Sequence, residues 1–453
     1  MIEEGKKSGK TLILIIILNV LAYVVTSYEN FFIETSSYWI NIFGFIPSLI
    51  GDYRNIYRIL TSMFIHADIF HIFFNMYYLY LFGRPVIESM TSKKFITLYL
   101  FSGLMASIFH TAFSYTGGLT SYIIPAVGAS GAISGVLGVY LILYPGTYLT
   151  MYSPYIFFPF PIRFRVRAEY YLIFWFATQV LYGYAKIAGT TAVFAHAGGF
   201  LAGIAILPLI FKHKEEKWSE GIYTIMRYIE PRRTEGIGRT SKAILTILIT
   251  ILIIGNIYAL INPITGEIKS MMIKYNVDGE QYLDYTAVKL PNIESYIRDV
   301  AVDETRILLN RLAGMNILYN PLNKGIEVTI RDESRNIPVR VIVGTISRVY
   351  TVKVNIEYIH VVYDEDGFIS YCEGLMETQL IIIQGYAVYI TSDMLTYSFT
   401  ISTQTINLKH TTEYMQLPSA LTSIIALIVI LKKSDELTLI SEKMRMPRLP
   451  IPI

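Results

Sequence analysis

Long apolar runs recur along the chain, and each is long enough to predict a membrane helix. A helix needs about 20 predominantly apolar residues to cross the hydrocarbon core of a bilayer. These runs predict eight helices, at 11–27, 69–83, 95–115, 129–144, 169–187, 193–211, 243–262 and 415–431. Between Phe95 and Ile162 the chain contains no Asp, Glu, Lys or Arg. The pattern is therefore typical of a polytopic α-helical membrane protein.

Between the seventh and eighth predicted helices, charge becomes denser and the apolar stretches become shorter. Residues 263–414 are therefore predicted to form a separate, β-rich α+β domain, with one helix at 293–312 that Gly314 ends. Strands are predicted at 326–331, 339–343, 349–362, 379–390 and 396–408. The sequence Asp364-Glu365-Asp366-Gly367 is a turn signal between two of them.

Lysine and arginine are enriched in alternate loops, which predicts the orientation in the membrane. The basic positions are Lys6, Lys7, Lys10, Arg84, Lys93, Lys94, Arg163, Arg165, Arg167 and a cluster within 212–242, whereas the other loops carry only Arg54, Arg58 and Lys186. The tails 1–10 and 432–453 and the linker 212–242 are therefore expected in the cytoplasm, with 263–414 extracytoplasmic. We expect the plasma membrane of a prokaryote.

The composition excludes several classes of function. The chain is 53% hydrophobic and 16% charged, against about 25% charged in an average soluble domain. Its net charge of +3 is too small, and too concentrated in short loops, to suggest a nucleic-acid partner. Cys372 is the only cysteine, so an intrachain disulfide is impossible. We expect no cofactor, and the partner that this composition predicts is the lipid bilayer.

Two short polar motifs in apolar helices suggest chemistry. Ser130 lies in Gly128-Ala129-Ser130-Gly131, and His196 begins His196-Ala197-Gly198-Gly199-Phe200-Leu201-Ala202-Gly203. Polar groups are costly at membrane depth and are usually functional there. A serine that attacks an amide needs a base to accept its proton, and His196 is the candidate. Because the helix that begins at Ser130 is short, we expect a wet pocket open to the outside, with Ser130 at its floor.

The same motifs contain faces of small residues that predict close helix packing. Gly131 and Gly135 are four apart in one helix, and Gly199 and Gly203 are four apart in the other. Taken alone, each glycine run is more often a packing motif than a catalytic one. Here both interpretations are expected to hold, because close packing would bring the serine hydroxyl to the imidazole.

His71 and Asn75 begin the second predicted helix and are four residues apart, so both project from one face. With the backbone N–H of Ser130, they could donate hydrogen bonds to an oxyanion. The plainer alternative is that Asn75 only bonds a neighbouring helix. His66 lies five residues before His71, a spacing that does not suit a shared metal, and no His-Glu-x-x-His motif is present. We therefore expect no metal site.

With these elements in order, residues 11–211 resemble the rhomboid family of intramembrane serine proteases. Tyr57-Arg58 and Gly83-Arg84-Pro85-Val86-Ile87-Glu88 are supporting matches. The resemblance implies a six-helix core and a catalytic dyad, with transmembrane proteins as substrates. Ser130 would be the nucleophile and His196 the general base and then acid. His71, Asn75 and the Ser130 N–H would form the oxyanion hole.

The resemblance also implies supporting roles and shows one departure. Gly128 would let the loop approach the substrate, Arg58 and Glu88 would be structural, and the loop near 183–191 would cap the site. Some relatives carry an aromatic residue four positions after the serine, beneath the histidine, where this chain has Ser134. Residues 212–453 lie outside the resemblance, although one helix after the core is known in an extended form of the family.

Two other classes of function are alternatives to a protease. A non-catalytic, rhomboid-like protein could bind membrane clients through the outer domain, but the intact pair of Ser130 and His196 argues against it. A transporter is disfavoured because the predicted helices carry no charged residue that could couple an ion.

Overall fold

The computed structural model describes residues 2–152, 163–187, 192–211, 236–263, 267–288, 303–343, 346–384 and 387–439. Each of the eight apolar runs overlaps an α helix. The helices are α1 (Ile2–Ser27), α2 (Ser37–Phe43), α3 (Arg58–Thr61), α4 (Ile69–Glu88), α5 (Ser92–Ala112), α6 (Ser130–Leu143), α7 (Ala168–Ala185), α8 (Val193–Ile210), α9 (Arg239–Ile261), α10 (Asp303–Gly314), α11 (Leu408–Lys432) and α12 (Ser434–Leu437). Most of the predicted basic linker (212–235) and most of the C-terminal tail (440–453) lie outside the described residues.

Within the residues that the structure describes, five helices are long and apolar enough to cross a membrane. They contain the segments Gly9–Asn30, Ser92–Ala112, Val193–Ile210, Arg239–Ile261 and Glu413–Lys432. Helix α6, which begins at Ser130, has only 14 residues and is shorter than a full span. The chain is therefore a multi-pass helical membrane protein with a short helix at its centre.

Helices α6 and α8 touch through backbone atoms at their glycines. A Cβ atom on Gly199 would lie 2.0 Å from the carbonyl oxygen of Gly131, and one on Gly203 would lie 2.1 Å from that of Gly135. Real side chains do not approach backbone oxygens so closely, so only glycine fits at these two positions. The predicted small-residue faces therefore contact each other, and they set the distance between the helices that carry Ser130 and His196.

Helices α9 and α11 pack together and against the rest of the helical bundle. Leu252 of α9 and Ile430 of α11 belong to the same buried apolar cluster as Phe109 of α5 and Leu201 of α8. At the end of α5, Gln416 of α11 donates a hydrogen bond from Nε2 to the carbonyl oxygen of Ala112, at 2.5 Å. The helices beyond the family resemblance thus share one core with those inside it.

Residues 267–407 contain a six-stranded antiparallel sheet with strand order β4-β3-β8-β7-β6-β5. The strands are β3 (Glu267–Val277), β4 (Glu280–Val288), β5 (Glu327–Val343), β6 (Ile346–Tyr363), β7 (Ile369–Gln384) and β8 (Ala387–Asn407). Helix α10 covers one face, where its Leu308 and Leu312 join Ile273 and Ile401 in a buried core. A β-rich region with one packed helix is therefore present, as the sequence predicted.

Several predicted strand boundaries were wrong. Strands β3 and β4 were not predicted at all. The predictions 326–331 and 339–343 belong to one strand, β5. The prediction 379–390 joins the end of β7 to the start of β8, and residue 408 already begins α11. The predicted helix 293–312 is helical from Asp303, and its earlier part lies outside the described residues. The predicted turn at 364–367 does connect β6 to β7, with Gly367 at φ +83°.

Two smaller features were also missed. An antiparallel hairpin of β1 (Tyr148–Tyr152) and β2 (Arg163–Arg167) connects α6 to α7. The segment between α1 and α4 folds into α2, α3 and short 3₁₀ turns. This segment pairs with the loop before α6, because the N–H of Phe45 and of Ala126 each donate to the other's carbonyl oxygen, at 2.9 and 2.7 Å.

Candidate active site

Ser130 lies at the first residue of α6, directly after a loop that only glycine permits. Gly128 has φ +117°, a conformation that L side chains rarely adopt. Its N–H donates a hydrogen bond to the carbonyl oxygen of Ser62, at 2.8 Å. The first N–H groups of a helix have no partner within that helix, so the Ser130 N–H is available at the point where the chain turns into α6.

The structure brings Ser130 and His196 into hydrogen-bonding contact. The Oγ of Ser130 and the Nε2 of His196 are 2.7 Å apart, although the two residues are 66 positions apart in the sequence. Both side chains are half-buried. A hydroxyl at this distance from an imidazole nitrogen has the geometry of a nucleophile beside its base.

A third residue, Gln179 of α7, determines which nitrogen of His196 carries the proton. Its Oε1 lies 2.9 Å from His196 Nδ1, and its Nε2 donates to Thr178 Oγ1 and the carbonyl oxygen of Trp175. An amide oxygen only accepts hydrogen bonds, so Nδ1 of His196 must be the donor. The neutral ring then has a lone pair on Nε2, facing Ser130. This tautomer is the one in which histidine can accept the serine proton.

The sequence reasoning did not single out Gln179 or Trp175. The Trp175 ring lies beside the His196 ring, with centroids 6.2 Å apart and planes tilted by 32°. An aromatic neighbour of His196 thus comes from α7, while Ser134 donates its hydroxyl to the Ser130 carbonyl oxygen at 2.6 Å. The sequence feature that could have indicated Gln179 is an uncharged amide in an apolar helix. Such an amide also occurs in helices where it only packs against a neighbour.

His71 and Asn75 lie on the first turns of α4, and both side chains reach the loop before Ser130. A Cβ atom on Gly128 would lie 2.6 Å from His71 Nε2 and 3.5 Å from Asn75 Nδ2. Helix α4 begins here because the Asp68 carboxylate accepts hydrogen bonds from the N–H groups of Phe70 and His71, both at 2.9 Å.

Both side chains have a donor that can face the loop. The N–H of Ala67 donates to His71 Nδ1 at 3.3 Å, so the neutral ring carries its proton on Nε2, the nitrogen nearest Gly128. The Nδ2 of Asn75 is buried and has no hydrogen-bond partner among the described residues. A buried donor without a partner is costly, and an anion that formed beside Gly128 would satisfy it. Among the described residues, no cluster of His, Cys, Asp or Glu could hold a metal ion.

Two neighbouring cavities lie near Ser130. The inner one has a volume of about 40 Å³ and is lined by Ser130, Gly128 and His110, among others. The outer one is about 290 Å³ and shares His110 with the inner one. Gly183 and Lys186, from the segment expected to cap the site, line the outer cavity, although Gly183 still belongs to α7. The rest of that segment, residues 188–191, lies outside the described residues.

Arg58, which the resemblance made structural, is buried and fully engaged. Its guanidinium donates to the carbonyl oxygens of Asn41 and Gly44, at 2.5 and 3.0 Å, and to Asn55 Oδ1 at 2.8 Å. A further bond reaches the hydroxyl of Tyr285 in the β domain, at 2.7 Å. Arg58 therefore organises the segment between α1 and α4 and also connects it to β4.

The other supporting residue, Glu88, lies at the C-terminal end of α4, away from these contacts. It forms an ion pair with Arg84 one helical turn earlier, at 3.1 Å, and both side chains are more than half exposed. Exposed pairs of this kind contribute about 0–1 kcal/mol to stability. The structure brings Glu88 to none of the residues around Ser130.

The bundle and its pocket define a helical membrane protein with a half-buried serine–histidine pair, and sequence comparison shows which known proteins this part of the chain resembles. Residues 53–213 match the family model described as Rhomboid domain. This segment contains His71, Asn75, Ser130 and His196. Over this segment, which is about a third of the chain, the protein is similar to the rhomboid family.

Individual relatives give the same result over limited lengths. The chain is 29% identical to "Rhomboid protein 1, mitochondrial" of Saccharomyces cerevisiae, over 32% of this chain and 39% of that protein. It is 28% identical to "RHOMBOID-like protein 1" of Arabidopsis thaliana, over 39% and 41%. It is 36% identical to "Putative rhomboid protease YdcA" of Bacillus subtilis, over 19% and 41%. The chain thus spans less than half the length of these relatives.

Proposed function

We propose that the chain is an intramembrane serine endopeptidase that hydrolyses peptide bonds of transmembrane proteins through the dyad of Ser130 and His196. The observation that carries the proposal is the 2.7 Å contact between Ser130 Oγ and His196 Nε2, with Gln179 holding the tautomer that can accept a proton. Relatives named as rhomboid proteases support the same reaction class.

In the proposed reaction, Ser130 Oγ attacks the substrate carbonyl carbon while its proton moves to His196 Nε2. The carbonyl oxygen becomes an oxyanion, which accepts hydrogen bonds from His71 Nε2–H, Asn75 Nδ2–H and the Ser130 N–H. His196 then protonates the leaving amine as the peptide bond breaks, which leaves an acyl-enzyme. Water attacks the acyl carbon while His196 takes a proton from this water. The bond between the acyl carbon and Ser130 Oγ then breaks, His196 returns the proton to Ser130 Oγ, and the acid product leaves.

For the orientation, we propose that both tails are cytoplasmic and that the β domain is extracytoplasmic, in the plasma membrane of a prokaryote. The distribution of Lys and Arg among the loops supports this arrangement. Water would then enter through the outer cavity beside Lys186. Addition of a protease to intact cells should cut the β domain but leave a tag at either terminus intact.

The proposed activity is tested with the full chain in lipid vesicles and a single-pass membrane substrate. We expect cleavage, and labelling by a fluorophosphonate, that both disappear in Ser130→Ala. The matched control is Ser419→Ala, a buried serine of α11 whose hydroxyl has no hydrogen-bond partner among the described residues. This control should keep both signals. Absence of cleavage and labelling in well-folded wild-type protein would contradict the proposal.

A further inference from the structure

A large cleft separates the β domain from the segment between α1 and α4. Its volume is about 840 Å³, within the range of roughly 300–1,000 Å³ that is typical of ligand pockets. One wall is formed by residues 38–58, and the other by β3, β4 and β8. None of the residues assigned to the proposed reaction lines it.

The sheet wall of the cleft is the face opposite the domain core. Along β3, Ser270, Met272, Lys274 and Asn276 line the cleft, together with Tyr275, while Ile273 on the other face is buried with α10. Side chains alternate between the two faces of a strand. The cleft is therefore lined by regular rows of side chains, which suits an extended polymer better than a compact molecule.

The charge of the lining is positive. Three lining residues are cationic, namely Arg54, Arg58 and Lys274, and one is acidic, Asp52, which gives a formal sum of +2. Asp52 is already paired with Arg54, at 2.8 Å. Lys274 is exposed and forms no ion pair within the part of the chain that the structure describes. The charge that would complement this lining is negative.

A short series of contacts connects the cleft to the loop before Ser130. Arg58 donates to Gly44, and a Cβ atom on Gly44 would lie 3.1 Å from Val127 Cγ1, in the loop just before Gly128. One layer of chain therefore separates the cleft from the loop that leads to Ser130. A substrate segment next to the bond being cut could reach the cleft without leaving the protein surface.

We propose that this cleft binds an extended, acidic segment of the substrate, located outside the membrane next to its transmembrane helix. Hydroxyl and amide side chains such as Ser402 and Gln404 would bond the peptide backbone, and Lys274 would select for negative side chains. This assignment rests on the proposed protease function, for which it supplies a basis of substrate selection.

The test uses the full chain in vesicles of neutral phosphatidylcholine and two substrates that differ only in this segment, acidic in one and basic in the other. Wild-type protein should cleave the acidic substrate with the higher kcat/KM, by about threefold to tenfold and mainly through KM, since single exposed charge pairs have modest effects. Lys274→Glu brings the formal charge of the lining to zero and should abolish the preference. The matched control is Lys324→Glu, an exposed lysine of the same domain outside the cleft, which should keep it.

Equal rates for the two substrates, or a preference that Lys274→Glu leaves unchanged, would overturn the proposal. The assay is also run in vesicles that contain an anionic lipid. If the cleavage rate depended on this lipid and not on the substrate segment, and Lys274→Glu removed the dependence, the cleft would be a lipid site and the proposal would be overturned. If wild-type protein cleaves neither substrate, the protease function fails instead. In that case, the binding of a labelled acidic peptide to full-length Ser130→Ala is measured by fluorescence anisotropy, which tests the cleft without cleavage. Weaker binding when Lys274→Glu is added would support the cleft as a binding site for acidic segments.

Discussion

The helical bundle and the β domain use polar residues in opposite ways. In the bundle, many polar side chains are buried, and two of them, Asn75 and Gln179, lie at the site of the half-buried Ser130 and His196. In the domain, fewer polar side chains are buried, and polar residues of β3, β4 and β8 instead line the cleft. An unpaired polar group is costly at membrane depth, whereas at a wet surface it costs little. In the bundle, a polar residue is therefore informative when it lies beside other polar residues at one site, and in the domain only a pattern along the strands is informative.

Outside the dyad, the largest effect should come from a single amide in the bundle. Asn75→Ala removes a buried donor that has no partner among the described residues, so it should reduce stability little. We expect kcat to fall by about 100- to 1,000-fold, because the oxyanion loses one donor. The measurement is cleavage in vesicles, with folding monitored by thermal unfolding. A loss of folding in place of a loss of kcat would mean that Asn75 is a packing residue.

A smaller effect is expected at Gln179, which holds His196 and does not contact the substrate. Gln179→Leu should lower kcat by about 10- to 100-fold, as expected for a misplaced base, with KM nearly unchanged. Gln179→Glu keeps an acceptor for Nδ1–H and should recover much of the rate, with the pH profile shifted upward because the carboxylate stabilises a charged imidazole. If Gln179→Leu and Gln179→Glu lost activity equally, with the same pH profile, Gln179 would not determine which tautomer His196 adopts.

The smallest effect should come from Tyr285, in the β domain. Tyr285→Phe removes the hydroxyl that Arg58 contacts and leaves one buried guanidinium donor unpaired, which should loosen the docking of the domain. We expect faster hydrogen exchange at Phe45 and Ala126 and a loss of activity of about twofold to fivefold, since a hydrogen bond to a charged group contributes modestly. Tyr389→Phe, an exposed position at the far end of β8, is the control. An unchanged exchange rate at Phe45 and Ala126 would show that the β domain does not stabilise the pairing of these two residues.

The helices of the bundle could be predicted from the sequence because their apolar runs have lengths that the bilayer dictates. The contact between Ser130 and His196 followed from the glycine faces that bring their helices together. Gln179 could not be predicted, because its role depends on the rotation of α7 and not on any spacing within the chain.

The domain was harder to predict because its strands violate simple alternation. Strand β5 reads as two segments because polar residues and Pro338 interrupt it. Proline is tolerated there because β5 lies at the edge of the sheet. The apolar run around Gly385 reads as one strand, but β7 ends at Gln384 and β8 begins at Ala387. Strands β3 and β4 were missed because charged residues such as Lys274 lie on their cleft face. Only the other face of the sheet packs against an apolar core, so the cleft face does not require apolar side chains.

The pairing of β3 with β8 has a consequence for how this architecture could arise and be altered. Glu267, just after α9, is the register partner of Asn407, just before α11, so the points where the chain enters and leaves the domain are adjacent. A module whose two ends meet can be inserted into an ordinary loop, or removed from it, without moving the flanking helices. The β domain is therefore a natural site for exchange, where recombination between related genes, or a designer, could graft a different recognition unit onto the same membrane scaffold.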